Sequence, residues 1–305
     1  VNYELIGDFK SIRHHYLEFL NLIKKGNDKM SFEKWMVHSK WDDNYVPFAL
    51  IDEGGTMQAA IGVHRTIMIV EKKKLNAVQL GKVYTRDDCS QMMQDYLENE
   101  LLSRIISKYE HIADVIYSFG NDTDPKFMKD YGFEEVPDCS CSMNWSPIQN
   151  GTNSVVKRVN LDKPSEFASL VAEIKHSSRM SNVMNTSGDA LVKAFNIMKY
   201  YPRNVFHVPL MDTTIVSMVE GKTFYLAAVF SKNECDLKRL LELVVPNNVD
   251  RIEFGFIPMS SNYKLEKKKV SKVNGLEIPT PLYVKTISVG MTLDNIKLSM
   301  LASQK

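Results

Sequence analysis

Groups able to hold a metal, attack a carbonyl or move a proton are spread thinly along this chain. The seven histidines are His14, His15, His38, His64, His111, His176 and His207. None recurs at a spacing that brings several ligands onto one ion. The cysteines, Cys89, Cys139, Cys141 and Cys235, follow neither a zinc pattern nor the framework of a disulfide-stapled domain. Cys139 and Cys141 alternate along a strand and share one face. Such neighbours bridge poorly, so free thiols in a reducing compartment are expected. His64 lies in a strand, where a satisfied or surface position is the ordinary expectation. Glu53 closes a hairpin and reads as solvated. The lysine runs 72–74 and 267–269 read as solvated turns between strands.

The elements that must position any chemistry follow from periodicity. Ile12, Tyr16, Phe19, Leu20 and Ile23 recur at helical spacing, and Gly26 stops that helix. An aromatic-rich loop at 32–45 carries Trp35 and Trp41. Strands are expected at 46–52, 57–70 and 76–85, joined by Gly54-Gly55 and by the lysine run, so they are antiparallel neighbours. Met93, Leu97, Leu101 and Ile105, widened by Leu102 and Ile106, form the apolar stripe of an amphipathic helix. A strand at 115–119, a short helix at 124–131 stopped by Gly132, and a strand from Phe133 towards Trp145 complete the first half. The polar, turn-rich stretch 146–154 is the best linker. The second half repeats the order loosely. Helices are expected around 165–174 and 189–200, and strands at 205–209, 213–219 and 223–230. A helix at 237–244 follows, then strands at 251–257 and 282–286. The mixture implies an α+β or α/β class, with a mostly antiparallel twisted sheet covered by helices. The expected organisation is residues 1–145, a linker 146–154, and residues 155–305.

Composition sets the outer bounds. At 305 residues the chain has room for two cores. Hydrophobic residues at 44% and charged residues at 25% are those of a globular protein. A formal net charge of +1 gives no broad basic field, so no nucleic-acid partner is expected. No apolar run is long enough to span a membrane, and the N-terminus lacks a signal-peptide pattern, so a cytoplasmic protein with no membrane partner is expected. Oligomeric state is not readable.

Four segments carry a resemblance to a known family. They are FEKWMVHSKWDDNYVPFALID (32–52), NAVQLGKVYT (76–85), VIYSFGNDTDPKFMKDYGFEEV (115–136) and NVFHVPLMDTTIV (204–216). In order and spacing the chain resembles the GCN5-related N-acetyltransferase (GNAT) superfamily. It is most similar to a bacterial group whose N-terminal acetyltransferase domain is joined to a GNAT-like C-terminal half of about equal size. The resemblance covers most of 1–145 and thins beyond. It implies an acyl-CoA N-acyltransferase fold, two tandem GNAT-like halves, acetyl-CoA as cofactor and a small-molecule or peptide amine as acceptor.

The resemblance also implies where the site lies. The pantetheine arm would pair with the splayed strand edge at Val83, Tyr84 and Thr85, with a strand N–H near Tyr84 or Thr85 polarising the thioester carbonyl. The pyrophosphate would sit on the following helix N-terminus, at Ser90, Gln91, Met92 and Met93, where first-turn N–H groups lack partners and the dipole is positive. Asn121 matches the family asparagine after the second central strand. The family pattern Gln/Arg-x-x-Gly-x-Gly/Ala is not kept: after Thr85 the chain reads RDDCSQMM, without glycine and with Asp87 and Asp88 close to an incoming phosphate. The alternative at this segment is a plain loop–helix junction with its methionines in the core. The family's general-acid tyrosine is replaced by Met128, whose thioether donates no proton, and Tyr131 is the nearest phenol. Asp42 and Asp43 lie where an acceptor amine would approach, or cap a helix. Two functional readings follow: an N-acetyltransferase with an eroded cofactor loop, or a non-catalytic descendant that binds a ligand or partner through the same cleft.

Overall fold

The computed structural model describes residues 2–23, 43–119, 125–136, 139–146, 156–181, 183–259, 266–269, 282–287, 298 and 301. The first sheet begins with β1 (Glu4–Gly7), β2 (Tyr45–Ile51), β3 (Met57–Val70) and β4 (Lys73–Thr85). Helix α1 (Arg13–Ile23) lies between β1 and β2, and α2 (Gln91–Tyr109) follows β4. Then come β5 (Val115–Phe119), α3 (Pro125–Asp130), β6 (Glu134–Val136) and β7 (Cys139–Asn144). The rest of the chain forms β8 (Lys157–Arg158), α4 (Pro164–His176), β9 (Met184–Ser187), α5 (Ala190–Tyr200), β10 (Val205–Val208), β11 (Thr213–Glu220) and β12 (Thr223–Ser231). It ends with α6 (Leu237–Val244), β13 (Arg251–Phe254), β14 (Glu266–Lys269) and β15 (Leu282–Thr286).

Turn chemistry fixes the hairpins. Glu71 and Lys72 both take positive φ, 46° and 74°, the left-handed pair that a two-residue hairpin requires. Lys73 and Lys74 therefore belong to β4, so the turn uses only part of the expected lysine run. Residues 267–269, expected as a solvated turn, lie instead on the edge strand β14. At the β2–β3 corner Asp52 Oδ1 accepts the N–H groups of Gly54 and Thr56, each at 2.9 Å, which shapes the loop before Gly55 reaches φ 80°.

Two sheets result. The first runs β1-β2-β3-β4-β5-β15-β6, with β9 pairing β3. The second runs β14-β7-β13-β12-β11-β10-β8. Written from its other edge, the second order repeats the first position for position. In each sheet the fourth and fifth strands, β4 with β5 and β12 with β13, are parallel. In each, an antiparallel strand is inserted beyond the fifth. That inserted strand comes from the other half of the chain: β15 enters the first sheet and β7 the second. The pairing thus crosses the boundary expected at 146–154, and the strand expected to run from Phe133 towards Trp145 is two strands in different sheets.

Each sheet is covered by the helices the apolar stripes anticipate. Leu97, Leu101, Leu102, Ile105 and Ile106 of α2 bury against Phe48, Leu50, Ile61, Val63, Val78 and Leu80. Tyr283 of β15 joins that cluster, so the inserted strand contributes to the core as well as to the ladder. On the opposite face Phe19, Leu22 and Ile23 of α1 pack with Phe9, Ala49 and Ala60. In the second half α6 buries Leu237, Leu240 and Leu241 against Ile215, Leu226 and Ile252. Among the described residues no helix is long and apolar enough to cross a membrane.

Candidate active site

The candidate site grows out of a mismatch in strand length. Parallel pairing of β4 with β5 starts at Ala77–Val115 and stops at Leu80–Ser118, while β4 continues to Thr85. The break coincides with a bulge: Ile61 pairs with Val83 and Val63 with Leu80, so Gly81 and Lys82 together oppose Gly62. An extra residue on one strand bends it and increases its twist, which turns the end of β4 away from β5.

The register then decides which backbone groups face the gap. Arg86 N donates to Gln58 O at 3.2 Å, which makes residues 58 and 86 a hydrogen-bonded pair. Successive antiparallel pairs alternate, so Tyr84 also bonds to β3, whereas Val83 and Thr85 point their N–H and C=O groups away from it. Of the two residues expected to polarise a carbonyl, Thr85 is thus the one whose N–H faces the splay. Tyr84 packs its ring instead against the α1 cluster, with Lys82 Nζ 6.0 Å above it.

At the end of the splay the helix α2 begins. Ser90 takes extended geometry and its hydroxyl accepts from Met93 N, a capping contact. No acid lies in the first turn of α2. No residue from Arg86 to Ser90 has a positive φ, so the loop follows a path open to any side chain and needs no glycine for its own conformation. Gln94 Nε2 ties the loop down by donating to the carbonyls of Arg86 and Cys89, at 3.2 and 3.1 Å. Met92 is 80% exposed and Met93 36%, so the alternative of a plain junction with its methionines in the core is not what the structure has. Leu97 is the first buried residue of the stripe. Tyr96 and Tyr3 stand beside Met93, their ring centroids 6.4 Å apart, and the helix mouth is apolar around its free donors.

The acids of the loop are partly neutralised. Arg86 Nε donates to Asp88 Oδ1 at 2.9 Å and its second nitrogen binds Oδ2, a two-point fork. That pairing holds the guanidinium even more firmly protonated than usual, with Asp52 adding to it. The Asp52 carboxyl sits below its ordinary range, chiefly through the Thr56 N–H and then through Gln58 and Gly54. Asp87 stays exposed at the loop surface.

The proton-donor position is different. Met128 is fully buried among Leu97, Leu101 and Phe133 in the core under α2, not on the cleft. Tyr131 is half-buried, stacks on Phe127 at 4.3 Å between centroids, and leads into Gly132 at φ 77°. Asn121 and Asp42 lie outside the described residues, while Asp43 accepts Arg65 through its backbone carbonyl at 2.7 Å. The sequence reading missed Gln79, which is 1% exposed on β4 just before the bulge and opposite His64. Its Nε2 has no hydrogen-bond partner among the described residues. A polar side chain between Val78 and Leu80, inside the buried stretch of β4, was the available signal.

The fit of an acyl-CoA can be judged from these features. A strand edge with outward backbone at Val83 and Thr85 suits an extended amide-bearing arm, and an exposed, acid-free helix N-terminus at Ser90–Met93 suits phosphate. No protein-family model and no curated protein matches the sequence. Solved structures do match. A protein of unknown function from Enterococcus faecalis, described as a probable N-acyltransferase, aligns over 95% of this chain and 73% of its own, with TM-score 0.52 and 9% identity. Eis1 from Mycobacterium abscessus aligns over 94% and 74%, with TM-score 0.54 and 10% identity. A GCN5-related N-acetyltransferase from Kribbella flavida aligns over 94% and 72%, with TM-score 0.51 and 12% identity. Sheet order, splay and structural likeness agree that the chain has the GCN5-related N-acetyltransferase fold.

Proposed function

We propose that the first half is an acyl-CoA-dependent N-acyltransferase, with acetyl-CoA as donor and a small-molecule or peptide amine as acceptor. The observation that carries this reading is the outward-facing backbone of Val83 and Thr85 leading directly to the exposed N-terminus of α2. Bound there, the cofactor supplies an activated thioester. The chain's part is to hold it. Val83 would pair with the amides of the arm, Thr85 N–H would donate to a carbonyl oxygen, and the first-turn N–H groups of Gln91 and Met92 would take phosphate oxygens with Ser90 as cap. The thiols of Cys89 and Cys235 suit a reducing, cytoplasmic setting.

The proton delivered to a leaving thiolate is the weak point. Tyr131 is the candidate donor, and its ring is held in a stack with Phe127. This favours a second reading, a protein that binds acyl-CoA without efficient turnover. Calorimetric titration with acetyl-CoA tests the first step, and thiol release with a panel of amines tests the second. Binding with turnover that falls on Tyr131→Phe supports the enzyme with Tyr131 as acid. Binding without turnover supports the second reading. Failure to bind acetyl-CoA at millimolar concentration removes both.

A further inference from the structure

The second half has a splay of its own, and its contents differ. Pairing of β12 with β13 stops at Leu226–Phe254, and a bulge at Ala227 follows at once. Two features exclude a nucleotide cofactor there. A Cβ on Gly255 would lie 2.4 Å from Ala227 O and 2.9 Å from Ala227 Cα, so the fifth strand leaves with its backbone pressed against the fourth. Asp236 caps α6, accepting Arg239 N at 3.1 Å, and places a carboxylate where a pyrophosphate would need donors. What remains is a cavity of about 300 Å³ between the halves.

Its lining is one-sided in charge. Lys74 from the first sheet, and Arg179 and Lys193 from the second half, all border it, and among the described residues no carboxylate lines it. Lys193 is engaged by Asp189 at 3.0 Å. Lys74 and Arg179 have no ion-pair partner among the described residues. The floor is apolar, built from Met184, Phe256 and the β12 side chains. The register adds a polar anchor. Ser231 bonds outward, its N–H to Ser177 Oγ and its C=O to Ser178 N. By alternation Val229 also turns its N–H and C=O away from β11, into the cavity.

We propose that this cavity is a binding site for a compact amphiphilic acid, a carboxylate with a short aliphatic body. Lys74 and Arg179 receive the carboxylate from opposite halves, and the apolar floor takes the tail. At about 300 Å³ the cavity has room for a short chain and not for a long lipid tail, and octanoate serves as the probe. The site is independent of the acyl-CoA cleft, because it lies on the second sheet's splay.

Octanoate titrated calorimetrically into the full chain tests this, with 1-octanol as the uncharged control and saturating acetyl-CoA as a competitor. Lys74 and Arg179 are exposed, so the Lys74→Ala/Arg179→Ala variant keeps its fold, which the unfolding temperature verifies. Octanoate binds the wild type at one site, the variant binds on the order of tenfold more weakly, and octanol binds no better than the variant does octanoate. Acetyl-CoA leaves the octanoate affinity unchanged. Absence of octanoate binding, equal binding by wild type and variant, equal binding of octanol, or competition by acetyl-CoA each overturns the proposal.

Discussion

In both halves a cysteine and a capping residue precede the helix that follows the long fourth strand: Cys89–Ser90 before α2, and Cys235–Asp236 before α6. Both fourth strands carry a bulge immediately after parallel pairing ends. The halves part ways at two points. The first cap is a neutral hydroxyl and the second a carboxylate. The second splay is closed at its apex by the contact of Gly255 with Ala227. The scaffold, carried by apolar register, survives in both copies. Under the proposed function, the capacity to hold an anion would rest on one cap and one backbone approach, and these can change without disturbing the sheet.

The largest effect expected from this comparison concerns the exchanged strands. If each half were self-sufficient, residues 1–145 would fold alone. Without β15, however, β5 and β6 lose the strand that joins them, and Tyr283 leaves the core under α2. At the same time β7 would be an orphan edge, open to pairing with other chains. The fragment 1–145 is expected to show no cooperative unfolding transition, and co-expression with 146–305 to restore it. A fragment that unfolds cooperatively alone would show that the exchange is ornamental. Within the full chain, Tyr283→Ala removes a 2%-exposed aromatic ring and is expected to cost about 3–5 kcal/mol, measured by urea unfolding. A loss below about 1 kcal/mol would mean the inserted strand packs loosely.

The exchange also marks the limit of what the sequence disclosed. Strand 282–286 was legible with both its bounds, the 213–230 hairpin to within one residue at each strand end, and the α2 stripe by its period, because apolar period and turn residues are local signals. Which sheet a strand joins is not local. Nothing within Leu282–Thr286 itself names Phe119, across 163 residues of sequence, as the partner of Leu282. The short β1, β8 and β9 were missed because ELIG, KR and MNTS carry no alternation of apolar and polar residues. In the site, Ser90 as cap and Val83 with Thr85 on the splay follow from residue type and position. The bulge that orients them does not, because it depends on how Gly62 meets Gly81 and Lys82 across two strands.

Smaller changes sharpen the contrast at the splays. Gly255→Ala forces a Cβ into backbone, and is expected to destabilise by about 1–3 kcal/mol in urea unfolding while leaving acetyl-CoA binding to the first half unchanged. Loss of acetyl-CoA binding in that variant would mean the two splays are coupled. Ser90→Asp makes the first cap like the second. Aspartate caps as well as serine, so the unfolding temperature should hold. The added carboxylate should weaken acetyl-CoA about tenfold, about 1.4 kcal/mol. The opposite change, Asp236→Ser, should create no acetyl-CoA site, because Gly255 still closes the apex. If Ser90→Asp binds like wild type, the helix N-terminus is not the phosphate site.

The subtlest difference lies in the two cysteines. Burial, and secondarily the Asp236 charge, push the Cys235 thiol up to about 11, with a hydrogen bond from Thr213 opposing them. An ordinary thiol titrates near 8.5, and only the thiolate attacks an alkylating agent. Between pH 7 and 10 the labelling rate of Cys235 by iodoacetamide should therefore rise about tenfold per unit without levelling. The slope, unlike the absolute rate, does not depend on how easily the reagent reaches the sulfur. The same shift has a stability consequence of definite sign. The unfolded thiol loses its proton first, so this group's contribution is intact below about pH 8.5. It declines as pH rises towards 11, where the folded thiol also ionises. Asp236→Asn removes the secondary cause and should shift the labelling curve modestly towards lower pH, while retaining the burial that dominates. A Cys235 curve that levels near pH 8.5 in the wild type would mean that the carboxylate cap and its half-buried neighbour are not held as the second half holds them here, and the contrast with Ser90 would lose its electrostatic basis.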